Sequence, residues 1–269
     1  ENIGTTLNHL YRLDNGMTLF AEAMYQKNTG SSYEAPAGYT TYIDGNSTNV
    51  PQYLRDIDLL DGTVSDSITV RTRFPERRIQ QYDTQSYRVL SGLRGEWDDW
   101  SWETALSYGK SINEISNTSG YMNGDLLDAA IANGSFNPFN LGLDNTQQQI
   151  AALRDPGVRK GESEVLSVDF NFSGDLFELP AGVISSVFGG EFRKEDISDT
   201  PSLNAVNNNI IGLGASDAAA DRTQYAAYGE FNFPIFDSLD VIAALRYDHY
   251  SDFGGDINPK VSLRYNPFD

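Results

Sequence analysis

Between Leu239 and Tyr250 the chain alternates so regularly that one backbone conformation suits it above all others. Leu239, Val241, Ala243, Leu245, Tyr247 and His249 take the odd positions, and Asp240, Ile242, Ala244, Arg246, Asp248 and Tyr250 the even ones. Successive side chains of a β-strand point to opposite faces, so one face is mostly apolar and aromatic while the other carries charge. The following run repeats the pattern, with Ile257, Val261, Leu263 and Tyr265 against Asn258, Lys260, Ser262, Arg264 and Asn266. The preceding run, Gln224 to Ile235, sets Tyr225, Ala227, Gly229, Phe231, Phe233 and Ile235 against Gln224, Tyr228, Glu230 and Asn232. Three such strands joined by short turns fit the wall of a transmembrane β-barrel, apolar outside and charged inside. A soluble sandwich shows the same period, so alternation by itself leaves both open.

Composition narrows the partners. A length of 269 residues allows one large β domain or two smaller ones. The formal charge of −19 disfavours nucleic acid and anionic headgroups, because both reward Lys and Arg. There is no cysteine, hence no disulfide framework, thiolate nucleophile or Cys-ligated metal. Mean hydropathy is −0.43, and no apolar run approaches the roughly 18 residues of a membrane helix. A barrel needs no such run, since its lumen face is polar. The chain opens at Glu1 without a signal-peptide pattern and stops at Asp269 just after a strand, so a mature piece or an excised portion of a longer chain is expected.

In chain order, Leu7 to Leu13 and Met17 to Lys27 read as strands around Asp14-Asn15-Gly16, a tight-hairpin signal. A long polar segment without sustained period, about Asn28 to Asp83, follows. Its Tyr33, Tyr39, Tyr42 and Tyr53, with Arg55, Arg71, Arg73, Arg77 and Arg78, make it a candidate contact surface. Thr84 to Glu96 and Trp100 to Ile115 form the next hairpin through Trp97-Asp98-Asp99. Tryptophans at its end fit an interfacial aromatic girdle or the aromatic cap of a soluble core. A second long segment, Ser116 to Glu162, holds Tyr121 and two short helices, Asp125 to Ala132 and Thr146 to Arg154. Ser163 to Ser173 and Val183 to Ile197 are strands, followed by a third polar segment, Ser198 to Ala220, expected to be mobile.

The connections run short, long, short, long, short, long, short, short. Through the first seven, each short turn joins an odd strand to the next even one, and the polar insertions fall at the other end. Outer-membrane barrels have short periplasmic turns and longer extracellular loops. A sandwich has no reason to sort loop length by end, so the sorting favours the barrel: an all-β antiparallel meander of about nine strands, part of a transmembrane wall, with long loops carrying short helices.

Four segments carry a resemblance. Gly190-Glu191-Phe192-Arg193-Lys194-Glu195, Ala226-Ala227-Tyr228-Gly229-Glu230-Phe231, Ala244-Leu245-Arg246-Tyr247-Asp248-His249-Tyr250-Ser251-Asp252-Phe253-Gly254 and Asn258-Pro259-Lys260-Val261 closely resemble, in order and spacing, the mid-barrel strands of TonB-dependent outer-membrane receptors. The likeness is specific over about Val183 to Asp269 and looser upstream. It implies a bacterial outer-membrane location and a barrel of about 22 strands with a plugged lumen, of which residues 1–269 form part of the wall. Nothing in the chain resembles the plug, the TonB-contacting segment or the closing strands. The resemblance also implies import of a scarce ligand such as a ferric siderophore, a cobalamin or an oligosaccharide, with outer-membrane lipid, the plug and the TonB complex as partners. Tyr33, Tyr39, Tyr42, Tyr53, Arg55 and Tyr121 are the candidate ligand contacts. Glu191, Arg193, Glu230, Arg246, Asp248, Lys260 and Arg264 are the lumen-facing set, docking the plug or forming solvated cross-strand ion pairs. The alternative is a soluble β-rich module that binds glycan through aromatic loops.

No catalytic constellation, cofactor or metal site is expected. His9 and His249 both take apolar-phase positions on distant strands, a poor metal pair. The pairs Asp98-Asp99 and Glu195-Asp196 place neighbours on opposite faces, where they cannot share a proton. Asp248, Asp252 and Asp256 do not match a calcium-loop spacing.

Overall fold

The computed structural model describes residues 1–60, 67–139 and 145–267. Its elements are β1 (Asn2–Arg12), β2 (Thr18–Glu34), β3 (Gly38–Asp44), α1 (Gln52–Leu60), β4 (Ser67–Arg73), β5 (Arg78–Trp97), β6 (Trp100–Ser119), α2 (Gly124–Ala132), α3 (Gln147–Ala152), β7 (Val158–Leu179), β8 (Gly182–Pro201), α4 (Leu203–Val206), β9 (Ala218–Phe236), β10 (Leu239–Tyr250) and β11 (Gly254–Tyr265). β1, β2 and β5 to β11 make one nine-stranded antiparallel sheet in chain order, while β3 and β4 pair only with each other. The sheet does not close, because β1 borders only β2 and β11 only β10.

Tight turns set the register at one end. In the first, Gly16 adopts a positive φ of 85°, the Met17 N–H donates to Asn15 Oδ1, and the Leu13 N–H donates to the Met17 carbonyl. Glycine reaches that conformation without a Cβ clash, which is why the hairpin turns there.

Strand length is the main departure from the sequence reading. β2 runs 17 residues and β5 runs 20, pairing without interruption from Asn28 opposite Thr84 to Glu34 opposite Arg78. A bilayer crossing needs only about 9 to 11 tilted residues. The excess lies at the long-loop end, where both faces are polar and hydrophobic alternation vanishes although backbone pairing continues. The segment from Asn28 to Asp83 thus holds strand ends and a second hairpin rather than one irregular loop.

Outward-facing side chains sort by height along the strands. At the short-turn end Trp100 stacks on Phe172 with centroids 4.5 Å apart, and Phe188 meets Phe231 edge-on at 5.4 Å. Eight residues further along β6, Tyr108 packs with Tyr87 at 6.1 Å, and across the sheet Tyr225 stacks on His249 at 4.7 Å. Between these aromatic rows Val89, Leu106, Phe170 and Leu245 are each more than half exposed. Eight residues rise about 27 Å along a strand, or about 20 Å normal to a membrane at a tilt near 40°. Beyond the second row the same face turns to ion pairs, Lys27 with Asp83 at 2.6 Å and Lys110 with Glu162 at 2.9 Å.

Candidate functional site: a loop cap over a charged wall

At the long-loop end the insertions form one interlocked body. β3 alternates strictly, with Tyr39, Thr41 and Ile43 buried and Thr40, Tyr42 and Asp44 exposed. Its inner side packs with Phe74, Met122, Leu127, Phe136 and Ile150 into the largest hydrophobic cluster among the described residues. Tyr39 stacks on Phe74 at 4.4 Å, and burial pushes its phenol pKa up. α2 and α3 bring the second loop to this core; Asn123 Oδ1 caps α2 through the Leu126 N–H, and Thr146 with Gln149 forms a capping box on α3.

Polar ties lock the loops together. Arg154 donates Nε to Glu76 Oε2 at 2.9 Å and pairs its Nη2 with Oε1, joining first and second loops. The carboxylate beside it raises the guanidinium pKa. Asp155, 7% exposed, accepts from Asn123 Nδ2 at 3.1 Å and from Asn204 Nδ2 at 2.6 Å, joining second and third. Asn209 Nδ2 donates to Asp125 Oδ2 at 2.9 Å, and the Gly124 N–H donates to the Asn209 carbonyl at 2.7 Å. In 198–220, the segment expected to be mobile, Asn204 and Asn209 form these ties, while Ser198 to Pro201 extend β8.

The candidate loop residues divide by burial. Tyr33, Tyr42 and Tyr53 are between 64% and 72% exposed; register puts Tyr33 on the face of the aromatic rows, with Arg77 5.8 Å over its ring. Tyr42 borders a cleft of about 570 Å³ with Asp44 and Asp128. Tyr39 and Tyr121 turn inward, at 9% and 2% exposure, so neither offers a contact face; Tyr121 packs with Ala205 and Ile210. Three of the five candidate arginines serve the backbone. Arg55 donates to the Ser47 and Val50 carbonyls, Arg73 to the Pro36 carbonyl, and Arg78 to those of Ala35 and Gly212. Sequence reasoning missed Glu76, Arg154 and Asp155, whose partners lie in other loops and leave no local signature.

On the wall, register puts Glu191, Arg193, Glu230, Arg246, Asp248, Lys260 and Arg264 on the face opposite the aromatic rows. Four of them form one network: Arg193 Nη2 to Glu191 at 2.6 Å, Arg246 Nη2 to Glu191 at 3.5 Å, and Arg246 Nη2 to Asp248 at 2.8 Å. Arg246 also lies 5.6 Å over the Tyr228 ring. Arg264 pairs with Asp240 at 2.6 Å, while Glu230 and Lys260 are exposed. Arg193 Nε is buried without a partner among the described residues. His9 and His249 lie on the apolar face, stacked on Tyr11 and Tyr225.

Residues 11–269 match the family model described as TonB dependent receptor-like, β-barrel. No curated protein matches the chain. Among solved structures, FpvAI in complex with pyocin S2 aligns with a TM-score of 0.60 at 14% identity, covering 100% of this chain and 34% of that one. A mutant of the ferric enterobactin receptor PfeA from Pseudomonas aeruginosa aligns at 0.53 and 18% identity, covering 100% and 31%. The siderophore receptor PirA from Acinetobacter baumannii aligns at 0.51 and 17%, covering 100% and 32%. The chain spans about a third of the length of these structures, and at such identities the likeness is one of fold.

Proposed function

From the premise that this chain belongs to the TonB dependent receptor-like β-barrel family, we propose that it forms part of the wall and extracellular cap of an energised importer in the bacterial outer membrane. The observation that supports this most is the sorting of the outward face: an apolar band between two aromatic rows, then ion pairs, then a packed cap at one end only. Lipid accounts for that succession, since the band of about 20 Å approaches the roughly 25 Å of an outer-membrane barrel and carries its flanking aromatics. A soluble glycan-binding sandwich would bury the face that stands exposed here. In this reading the charged face lines the lumen, and the Glu191–Arg246–Asp248 network meets solvent or the plug. The residues here supply wall and cap; plug and TonB contacts come from other parts of the receptor, and no catalytic role is proposed.

The cargo is a small, scarce ligand, of which ferric siderophores, cobalamins and oligosaccharides are the classes considered. The test is expression of the full-length gene product in a Gram-negative host. The expected result is recovery in the outer-membrane fraction, heat-modifiable gel mobility, and ligand uptake lost in cells lacking TonB. Recovery as a soluble monomer without detergent refutes the reading.

A further inference from the structure

We infer that this wall carries a neutral binding lane for an uncharged, polyhydroxylated ligand of the oligosaccharide class, an inference that rests on the importer reading above. On the lumen-side face just below the cap, β5 presents Gln80, Tyr82, Thr84 and Ser86 in succession. β6 answers with amides and a hydroxyl. Gln80 Nε2 donates to Asn117 Oδ1 at 3.1 Å, Thr84 Oγ1 donates to Asn113 Oδ1 at 2.9 Å, and Ser86 and Ser111 share a hydrogen bond of 2.9 Å. Asn117 is buried at 7% exposure and serves to hold Gln80, whereas the half-buried amides of Gln80 and Asn113 each have two N–H donors and two acceptor lone pairs, so their pairings leave capacity for ligand hydroxyls.

Tyr82 stands in the middle of the lane, 41% exposed. Its ring lies across Gly30 on β2, where an added Cβ would sit 2.3 Å from Cζ, so glycine is what lets the ring settle against the strand. A ring held that way offers an apolar surface with a hydroxyl at its rim, matching the C–H face and hydroxyl edge of a pyranose.

Charge in the lane disfavours an anionic cargo. Every Lys and Arg on β2 and on β5 to β10 already has a carboxylate within 4.0 Å. Arg12 and Lys260, on the edge strands, have none among the described residues and lie away from the lane. Arg71, Arg73 and Arg77 of the first insertion also lack a carboxylate partner among the described residues, but they belong to the cap rather than to the lane. Within the lane itself an anionic chelate meets no described lysine or arginine that is not already paired with a carboxylate. A neutral polyol needs no such cation. Sites built from hydrogen-bonding groups discriminate strongly for hydroxyls over ligands that leave those groups unpaired.

The experiment is isothermal titration of the full-length receptor in detergent with maltohexaose, xylohexaose and mannohexaose, and with a trianionic ferric tris-catecholate. At least one neutral oligosaccharide should bind and the chelate should not. Tyr82→Ala should weaken that binding about tenfold or more, as loss of an aromatic anchor does, and Tyr82→Phe should restore most of it. Thr84→Val, which keeps the shape and removes one hydroxyl, provides a second variant if Tyr82→Ala does not fold. Chelate binding without sugar binding, no binding of any of the three sugars, or equal affinity in both folded variants overturns the inference. Unchanged sugar affinity with a lowered melting temperature would assign the lane to the plug and overturn it as well. Failure of the importer reading is separate, since it shows as a receptor absent from the outer membrane.

Discussion

Arg78 and Gly212 are 134 residues apart in the chain, yet the guanidinium Nη1 donates to the glycine carbonyl at 3.1 Å. The same side chain donates Nε to the Ala35 carbonyl at 3.0 Å, pairs with Glu34 at 2.9 Å, and lies 5.8 Å over the ring of Tyr121. One residue at the start of β5 thus touches all three long loops. Removing it leaves two carbonyls and a carboxylate without their donor. At about 1.5 to 3 kcal/mol for a hydrogen bond to a charged group, lowered by partial exposure, Arg78→Ala should cost the cap about 2 kcal/mol. Amide hydrogen exchange in the full-length receptor should show faster exchange across 202–217 and 35–45 with strand cores unchanged. Arg78→Lys keeps the charge for Glu34 without the planar fork and should fall between.

Tyr39 and Tyr42 are three residues apart on one short strand and face opposite ways. Tyr39→Ala empties a place in the cap core against Phe74 and should destabilise the cap by about 3 kcal/mol or more, as large aromatic truncations in a core do. Tyr42→Ala removes an exposed ring and should stay within about 0.5 kcal/mol. Proteolytic susceptibility of the cap in detergent reads both. Equal susceptibility of the two variants would contradict the burial assignment.

That contrast shows what was legible in the sequence and what was not. Where one face meets lipid and the other a wet lumen, the alternation of Leu245 with Arg246 exposes the backbone conformation directly. The nine-strand meander, its turns and the faces of β9 to β11 were all readable for that reason. Above the aromatic rows water lies on both sides, so Asn28 to Glu34 alternate nothing hydrophobic and extended strand resembled loop. The β3–β4 hairpin was hidden in another way, since exposed Tyr42 beside buried Tyr39 makes both faces look aromatic. Arg78 looked like a surface cation because its partners Ala35 and Gly212 are backbone carbonyls, which carry no sequence signature. The candidate contacts at Tyr33, Tyr42 and Tyr53 were legible only as exposed loop aromatics, a property Tyr39 and Tyr121 shared on paper.

In the proposed importer the cap and the tight turns lie on opposite sides of the membrane. Protease added to intact cells producing the full-length receptor should cut within the long insertions, about 35–77 and 120–157, and spare the turns at Asp14 to Gly16 and Asp237-Ser238. Because the loops are tied, cutting should be slow in the native receptor and faster in Arg78→Ala. Cleavage confined to the two turns would invert the topology.

Leu245 and Ala244 are chain neighbours on β10 that test the wall itself. Leu245 sits opposite Gly229 and Pro259, is 54% exposed, and lies between the two aromatic rows. Ala244 sits opposite Glu230 and Lys260 on the other face. An arginine at a lipid-facing midplane position costs about 2 to 4 kcal/mol, whereas a lumen position accepts one with far less penalty. Ala244→Arg also gains a carboxylate neighbour in Glu230, which favours the charge, against some crowding by Lys260. Unfolding of the full-length receptor in lipid vesicles should therefore give Leu245→Arg a loss of about 3 kcal/mol and Ala244→Arg a loss under about 1 kcal/mol. The difference should vanish in a detergent-free soluble state if one existed, because neither face would then contact hydrocarbon. Equal losses in vesicles would mean that Leu245 does not face lipid, and the apolar band would need another explanation.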